Sequence, residues 1–289
     1  MSPSLGTSAS FGCGAVPRVA ILVEDDKTFL LPAVERTVRR LDASRFRVTH
    51  LGIVPPKLGR FRGWRLHLWY PRVLGWRNTA LLGLFSMLEA GRRMRAHFGA
   101  ERLSVSWLGL AKQSGLEECR FLRSPNDPEA VEFLRASECD ILIVMVPYIL
   151  GPEALKAPKV GAINKHSAIL PGCRGLFPYL WSTALGKPLG ITFHKVVAEI
   201  DAGPVLLRRH VAVDQQPRSM VEFYLWVYRE FPELAVEAAR RLHSGIEEPR
   251  AQTSSGDYFG LPTRADYVRF RKAGGRIVRL GDLRRSLMP

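Results

Sequence analysis

Two runs of consecutive apolar residues set the architecture: RVAILV at residues 18–23 and DILIVMV at residues 140–146. Each is short and rich in β-branched side chains, so each reads as a buried strand. Glu24, Asp25 and Asp26 close the first run. Apolar residues then recur at helical spacing over residues 27–41 (Phe29, Leu30, Ala33, Val34, Val38, Leu41), and a second strand over residues 47–54 stops at Pro55-Pro56. Strand, helix and strand in this order predict an α/β fold, a Rossmann-like and mostly parallel sheet with helices on both faces. No GxGxxG follows the first strand, which disfavours a dinucleotide.

The rhythm resumes with a helix over residues 127–136 and strands over residues 160–166, 191–197 and 205–213. Ser219 and Glu222 predict a capping box opening a helix. Pro232 predicts a break or kink, with a second helical piece reaching Leu242 before Gly245. From Tyr258 the chain reads as a short, basic, turn-rich appendage. The division expected is a disordered tail (1–16), a main domain (17–215) with an insertion (57–98), and a C-terminal helical segment with a basic tail (216–289).

Charge is concentrated. The net charge is +15, yet residues 57–100 hold nine Lys/Arg against Glu89, and residues 264–289 hold eight against Asp266 and Asp282. Fourteen of the fifteen excess charges therefore sit in two segments, which points to an anionic partner such as a nucleotide, tRNA or a membrane surface. In the first segment Trp64, Trp69, Tyr70 and Trp76 alternate with Arg60, Arg62, Arg65, Arg72 and Arg77, and a helix is expected over residues 79–98. No acid occurs between residues 57 and 88. That pattern suits a membrane interface, a nucleic-acid surface or an aromatic-lined pocket, and equally an insertion packing its Trp residues on the main domain.

Other classes are disfavoured. The longest apolar stretch, residues 141–150, contains Pro147 and is too short to span a bilayer. The opening residues have neither a basic start nor an apolar core, so no secretory signal is read there. Cys13, Cys119, Cys139 and Cys173 form no CxxC pair, which argues against disulfides and metal and for a cytoplasmic location.

Chemistry is concentrated in residues 161–206, GAINKHSAILPGCRGLFPYLWSTALGKPLGITFHKVVAEIDAGPVL. If residues 160–166 form a strand, Asn164 and His166 share one face and Lys165 takes the other. Both would sit at the carboxyl end of the strand, where open α/β sheets bind ligands. The next strand brings His194, and the loop after it carries Asp201 before Gly203-Pro204. An amide, an imidazole and a carboxylate in one crevice can stabilise an oxyanion and move a proton. By spacing alone, a hydrogen-bonded core Asn and an ordinary buried His fit as well.

Taken in order, Asn164-x-His166, Leu170-Pro171, Arg174-Gly175, Pro178, Trp181, Gly190-Ile191-Thr192-x-His194 and Asp201-x-Gly203-Pro204 resemble the catalytic core of the 10-formyltetrahydrofolate-dependent formyltransferases. These include glycinamide ribonucleotide, methionyl-tRNA and amino-sugar formyltransferases, and weaker resemblance extends from Arg18 to about Leu242. Two positions depart from the pattern: Lys165 stands where an apolar residue is usual, and Ser167-Ala168 replaces the more common Pro-Ser or Gly-Ser. Lys165 would need a polar outlet on the far face of the sheet.

The resemblance implies an enzyme transferring a formyl group from 10-formyltetrahydrofolate to an amine, without a metal. It implies Asn164, His166 and Asp201 as the catalytic trio. Main-chain groups of Tyr148, Ile149 and Leu150, with the loop Val197, Ala198, Glu199 and Ile200, would border the pterin. Arg174, Gly175, His194 and, in the insertion, Arg65 and Arg72 are the candidates for contact with the acceptor. Fewer than 50 residues follow Gly245, too few for the C-terminal barrel usual in methionyl-tRNA enzymes. A small phosphate-bearing amine, such as an amino sugar on a nucleotide, is therefore the expected acceptor. The alternatives are a methionyl-tRNA formyltransferase-like enzyme, a formyltetrahydrofolate hydrolase, and an RNA- or anionic-membrane-binding protein on the same scaffold.

Overall fold

The apolar runs at residues 18–23 and 140–146 lie side by side at the centre of a seven-stranded sheet. The computed structural model describes residues 15–246 and 258–287; residues 1–14 of the expected tail lie outside the described residues. In chain order the elements begin β1 (Arg18–Glu24), α1 (Leu30–Ala43), β2 (Arg47–Val54), β3 (Lys57–Leu58), β4 (Phe61–Arg62), α2 (Trp64–Leu74), α3 (Trp76–Phe98) and α4 (Trp107–Gln113). They continue with β5 (Glu118–Phe121), α5 (Pro128–Ala136), β6 (Ile141–Met145), α6 (Pro152–Leu155), β7 (Gly161–His166), β8 (Arg174–Gly175), α7 (Pro178–Ala184), β9 (Gly190–Lys195) and β10 (Val205–His210). Last come α8 (Met220–His243), β11 (Tyr258–Phe259), α9 (Arg264–Lys272) and α10 (Leu280–Leu287).

The sheet order is β10-β9-β7-β6-β1-β2-β5. The five strands from β7 to β5 are parallel, whereas β9 and β10 run antiparallel to their neighbours. Alternate residues face alternate sides. Val19, Ile21 and Val23 enter one core with α1 and α8, while Ala20 and Leu22 enter a second with α5 and α6. The mostly parallel α/β sheet covered on both faces is the expected architecture. β5 and α4 break no apolar rhythm and were not anticipated; β5 (ECRF) is an edge strand paired only with β2, so it needs little apolar character.

Four expectations are corrected. The last strand ends at His210 rather than at residue 213, and Val213 is 92% exposed in a 3-10 turn. α8 runs unbroken through Pro232. Proline leaves the carbonyl four residues earlier without its helical donor, and here Arg36 of α1 donates to that Tyr228 oxygen at 3.1 Å. The cost of the missing bond is met from the neighbouring helix. The C-terminal appendage is mostly helical rather than turn-rich: a Thr263/Asp266 capping box opens α9, which packs on α7, and α10 packs on α3. At the start of α8, Ser219 caps the Glu222 amide as expected, but Glu222 reaches back to the Arg218 amide instead of that of Ser219.

The insertion is a β3–β4 hairpin followed by two helices, the second starting at Trp76, earlier than expected. Trp69 is buried and its ring lies 5.0 Å from that of Phe177. Trp76 is 77% exposed. α3 is tied to α1 by a buried ion pair between Arg93 and Glu35, whose second oxygen accepts the Ser104 amide at 3.2 Å.

Candidate active site

β7 and β9 are neighbours with Asn164 opposite His194 in register, so strand pairing alone brings an amide beside an imidazole. Asn164 has the parity of Ala162, on the α5/α6 side of the sheet, and Lys165 that of Ile163, on the α8 side. The two-residue period therefore separates the motif's polar residues as expected.

Asp201 closes the site from the loop between β9 and β10. It holds a left-handed backbone conformation, φ 49°, which aims its carboxylate back at the strands. Gly203 makes this return possible, because a Cβ there would sit 1.8 Å from the Lys195 carbonyl oxygen. From the other side Gly175 donates its amide to Asp201 Oδ2 at 2.9 Å.

Asp201 is the hub. Asn164 Nδ2 donates to its Oδ1 at 3.4 Å, and His194 Nε2 stands 3.4 Å from the same oxygen. His166 Nδ1 lies 3.4 Å from Oδ2. Burial alone would raise the Asp201 pKa, but the two imidazoles and the Gly175 amide reverse it and hold the carboxyl well below its usual range. Burial lowers the pKa of His166 despite the pull of Asp201. At neutral pH the crevice therefore contains an ionised Asp201 beside a neutral His166.

The proton positions follow from the acceptors. His166 Nε2 faces the Cys173 carbonyl oxygen at 2.8 Å; a carbonyl only accepts, so Nε2 carries the proton. Nδ1 is then the basic nitrogen, turned toward Asp201. His194 Nδ1 donates to the Lys195 oxygen at 3.0 Å, and its Nε2 lies 3.3 Å from Asn164 Nδ2 as well as 3.4 Å from Asp201 Oδ1. A proton arriving at His166 Nδ1 would be shared at once with a carboxylate, the arrangement that stabilises an imidazolium.

Arg174 is buried and its Nη1 pairs with Glu199 at 3.1 Å, linking β8 to the 197–200 loop. Tyr148, Ile149 and Leu150 follow β6, the parallel neighbour of β7; Ile149 is 60% exposed and Leu150 is buried. Asn126, which sequence reasoning missed, clamps this turn by donating to the Ile149 oxygen at 2.9 Å and accepting the Gly151 amide at 2.7 Å. Arg65 and Arg72 are exposed on α2.

Two further features escaped the sequence. Lys165 finds its polar outlet on α8: its ammonium donates to Ser167 Oγ at 2.9 Å and Tyr228 OH at 3.4 Å, over the Tyr228 ring. Burial pushes its pKa down to about 8. At the end of β1, Glu24 accepts the Lys57 amide at 3.0 Å and burial raises its pKa to about 7. In the sequence the acids at this point mark only the end of a strand, since burial of a carboxyl leaves no mark on local sequence.

A mostly parallel α/β sheet thus gathers an amide, two imidazoles and a carboxylate, a set of groups able in principle to move a proton and stabilise an oxyanion. Comparison with known proteins narrows that chemistry. Residues 110–224, the segment that holds Asn164, His166, His194 and Asp201, match the formyl transferase family model. Methionyl-tRNA formyltransferase of Thermotoga neapolitana is 40% identical over 107 residues, 36% of this chain and 34% of the relative. That of Thermotoga maritima is 33% identical over 140 residues, 46% and 42% of the two chains. The chain thus spans half or less of the curated relatives it matches. In fold it resembles glycinamide ribonucleotide transformylase 1 from Symbiobacterium toebii, with TM-score 0.53, 17% identity and coverage of 84% and 94%. It also resembles a sugar N-formyltransferase from a Shewanella species, with TM-score 0.51, 15% identity and coverage of 89% and 88%.

Proposed function

We propose that the chain transfers a formyl group from 10-formyltetrahydrofolate to the primary amine of a small, phosphate-bearing acceptor of amino-sugar type. The observation that carries this reading is the Asp201 hub, which holds Asn164 and His166 at the carboxyl end of β7 within one 3.4 Å shell. When the amine adds to the formyl carbon, negative charge develops on the formyl oxygen. The Asn164 amide, turned from Asp201 to that oxygen, stabilises it, and one such donor is typically worth about 3 kcal/mol of barrier. The ammonium proton passes to His166 Nδ1, where Asp201 stabilises the imidazolium, and from there to the departing folate nitrogen. Proton transfer of this kind contributes roughly 10²–10⁴-fold. His194, whose Nε2 lies 3.3 Å from the Asn164 amide nitrogen and 3.4 Å from Asp201, helps to hold both groups in place.

Tyr148, Ile149, Leu150 and the 197–200 loop would hold the pterin, and Arg65 with Arg72 would meet the acceptor's phosphate. A second reading has an observation of its own: the curated relatives matched by sequence are methionyl-tRNA formyltransferases. A screen of amino sugars, nucleotide-linked amino sugars, glycinamide ribonucleotide and methionyl-tRNA with 10-formyltetrahydrofolate, read as tetrahydrofolate release, separates the two. Release with a small amine is expected. Release only with methionyl-tRNA selects the second reading, and release without any amine would mean hydrolysis.

A further inference from the structure

The two basic segments, far apart in sequence, meet in space. A cavity of about 410 Å³ lies where the start of α3 faces α9 and the chain leading into α10, and five arginines line it: Arg77, Arg264, Arg271, Arg276 and Arg279. No Asp or Glu lines it. Among the described residues none of the five guanidinium groups forms an ion pair with a carboxylate, although the Arg279 main-chain amide donates to Asp282 Oδ2 at 2.7 Å; arginines elsewhere form such pairs repeatedly, as Arg18 with Glu117 and Arg93 with Glu35 illustrate. Five guanidinium groups around one cavity repel one another unless an anion joins them.

Several of these side chains are held ready. Arg264 Nη1 donates to the Val73 oxygen at 2.9 Å and its guanidinium lies 5.1 Å from the Tyr267 ring centre. Arg271 Nη1 donates to the Gly275 oxygen at 3.1 Å, and Arg276 Nη1 to the same oxygen at 3.0 Å. Each of these bonds uses only part of the five-proton fork and leaves donors for a ligand. Tyr267 is buried, and its hydroxyl accepts from Asn78 Nδ2 at 2.8 Å, so its own proton is available for a ligand oxygen.

We infer that this cavity is a second ligand site, separate from the Asp201 crevice, for a small anion bearing at least two phosphate groups. Guanidinium forks match phosphate oxygens in pairs, and five of them exceed what one monoanion can use. Concavity favours a small ligand over a nucleic-acid backbone, which is tracked by extended grooves or surfaces. Its volume falls in the range of roughly 300–1,000 Å³ usual for small-molecule sites. None of its lining residues belongs to the candidate active site.

The test is titration of the whole protein with inorganic pyrophosphate, by calorimetry and thermal shift, with single-stranded RNA as a second arm. Saturable pyrophosphate binding is expected, weakened about 10-fold or more in Arg77→Gln/Arg279→Gln, since charge-assisted bonds to phosphate are lost. Asn164→Ala should bind pyrophosphate as the wild type does, and the double variant should still bind a non-reactive folate analogue. Absence of saturable binding, equal affinity in the double variant, or loss of binding in Asn164→Ala would each overturn the inference. So would tight RNA binding that pyrophosphate cannot displace. None of these readouts depends on formyl transfer, so the proposed activity and this site can fail separately.

Discussion

At the scale of single residues, the decisive placement is of protons. Asn164→Ala, His166→Ala and Asp201→Ala should each lower formyl transfer at least about 10²-fold with unchanged circular dichroism, because each removes a donor or the proton path. Near-wild-type turnover in any one of them would remove that residue from the mechanism. Lys165 gives a prediction about stability. Its folded pKa, about 8, lies below the ordinary 10.5, so as pH falls through that window the unfolded chain takes the proton first. Stability is therefore lost from pH 10.5 down to 8 and stays lost below, by up to about 3 kcal/mol. Lys165→Met should unfold at a higher temperature than the wild type near pH 7, with the gap narrowing as pH approaches 10.5. A gap independent of pH would mean that packing, not the buried charge, sets the difference. The residue itself was conspicuous in the sequence, but its outlet was not, because Tyr228 approaches from a helix 63 residues away.

Among the elements, the 196–204 loop and the α1–α3 junction carry the sharpest consequences. Any side chain at Gly203 collides with the Lys195 carbonyl, so Gly203→Val should displace Asp201. Activity should fall at least about 10²-fold, as in the Asp201 variant. Retained turnover would show that the loop can shift without losing its carboxylate. The buried Arg93–Glu35 pair holds the insertion to the body of the fold. Arg93→Met leaves Glu35 with Arg39 and Ser104 as hydrogen-bond partners among the described residues, and losing one partner of a buried pair typically costs about 3–5 kcal/mol. Urea unfolding should register that loss, while a change under about 1 kcal/mol would mean that Arg39 compensates. On α2, Arg65→Ala with Arg72→Ala should raise the acceptor KM and leave folate affinity alone. Equal effects on both substrates, or none, would make α2 purely structural.

For the molecule as a whole, the C-terminal segment is fastened to the sheet-bearing domain. Ser219 Oγ donates to Asp282 at 2.7 Å, and the Met220 and Val221 amides bond to the Arg276 and Ile277 oxygens at 2.8 and 3.2 Å. One cooperative unfolding transition is expected, and Asp282→Ala should lower its midpoint by an amount corresponding to about 1–3 kcal/mol, the cost of leaving buried partners unpaired. Two resolved transitions would mean that α9 and α10 melt independently.

The sequence alone determined what depends on local period and spacing: the central strands, the capped start of α8, and the ordered run from Asn164 to Pro204. These are legible because strand parity and helix caps involve neighbours in the chain. Tertiary structure alone decided the rest. Pro232 lies inside a continuous helix because Arg36 of another helix serves its orphaned carbonyl. Glu24 holds its proton to near pH 7 because the fold buries it. Two basic segments nearly two hundred residues apart become one arginine-lined cavity only when α9 packs beside the insertion. In each case the partner is distant along the chain, and no local pattern records it.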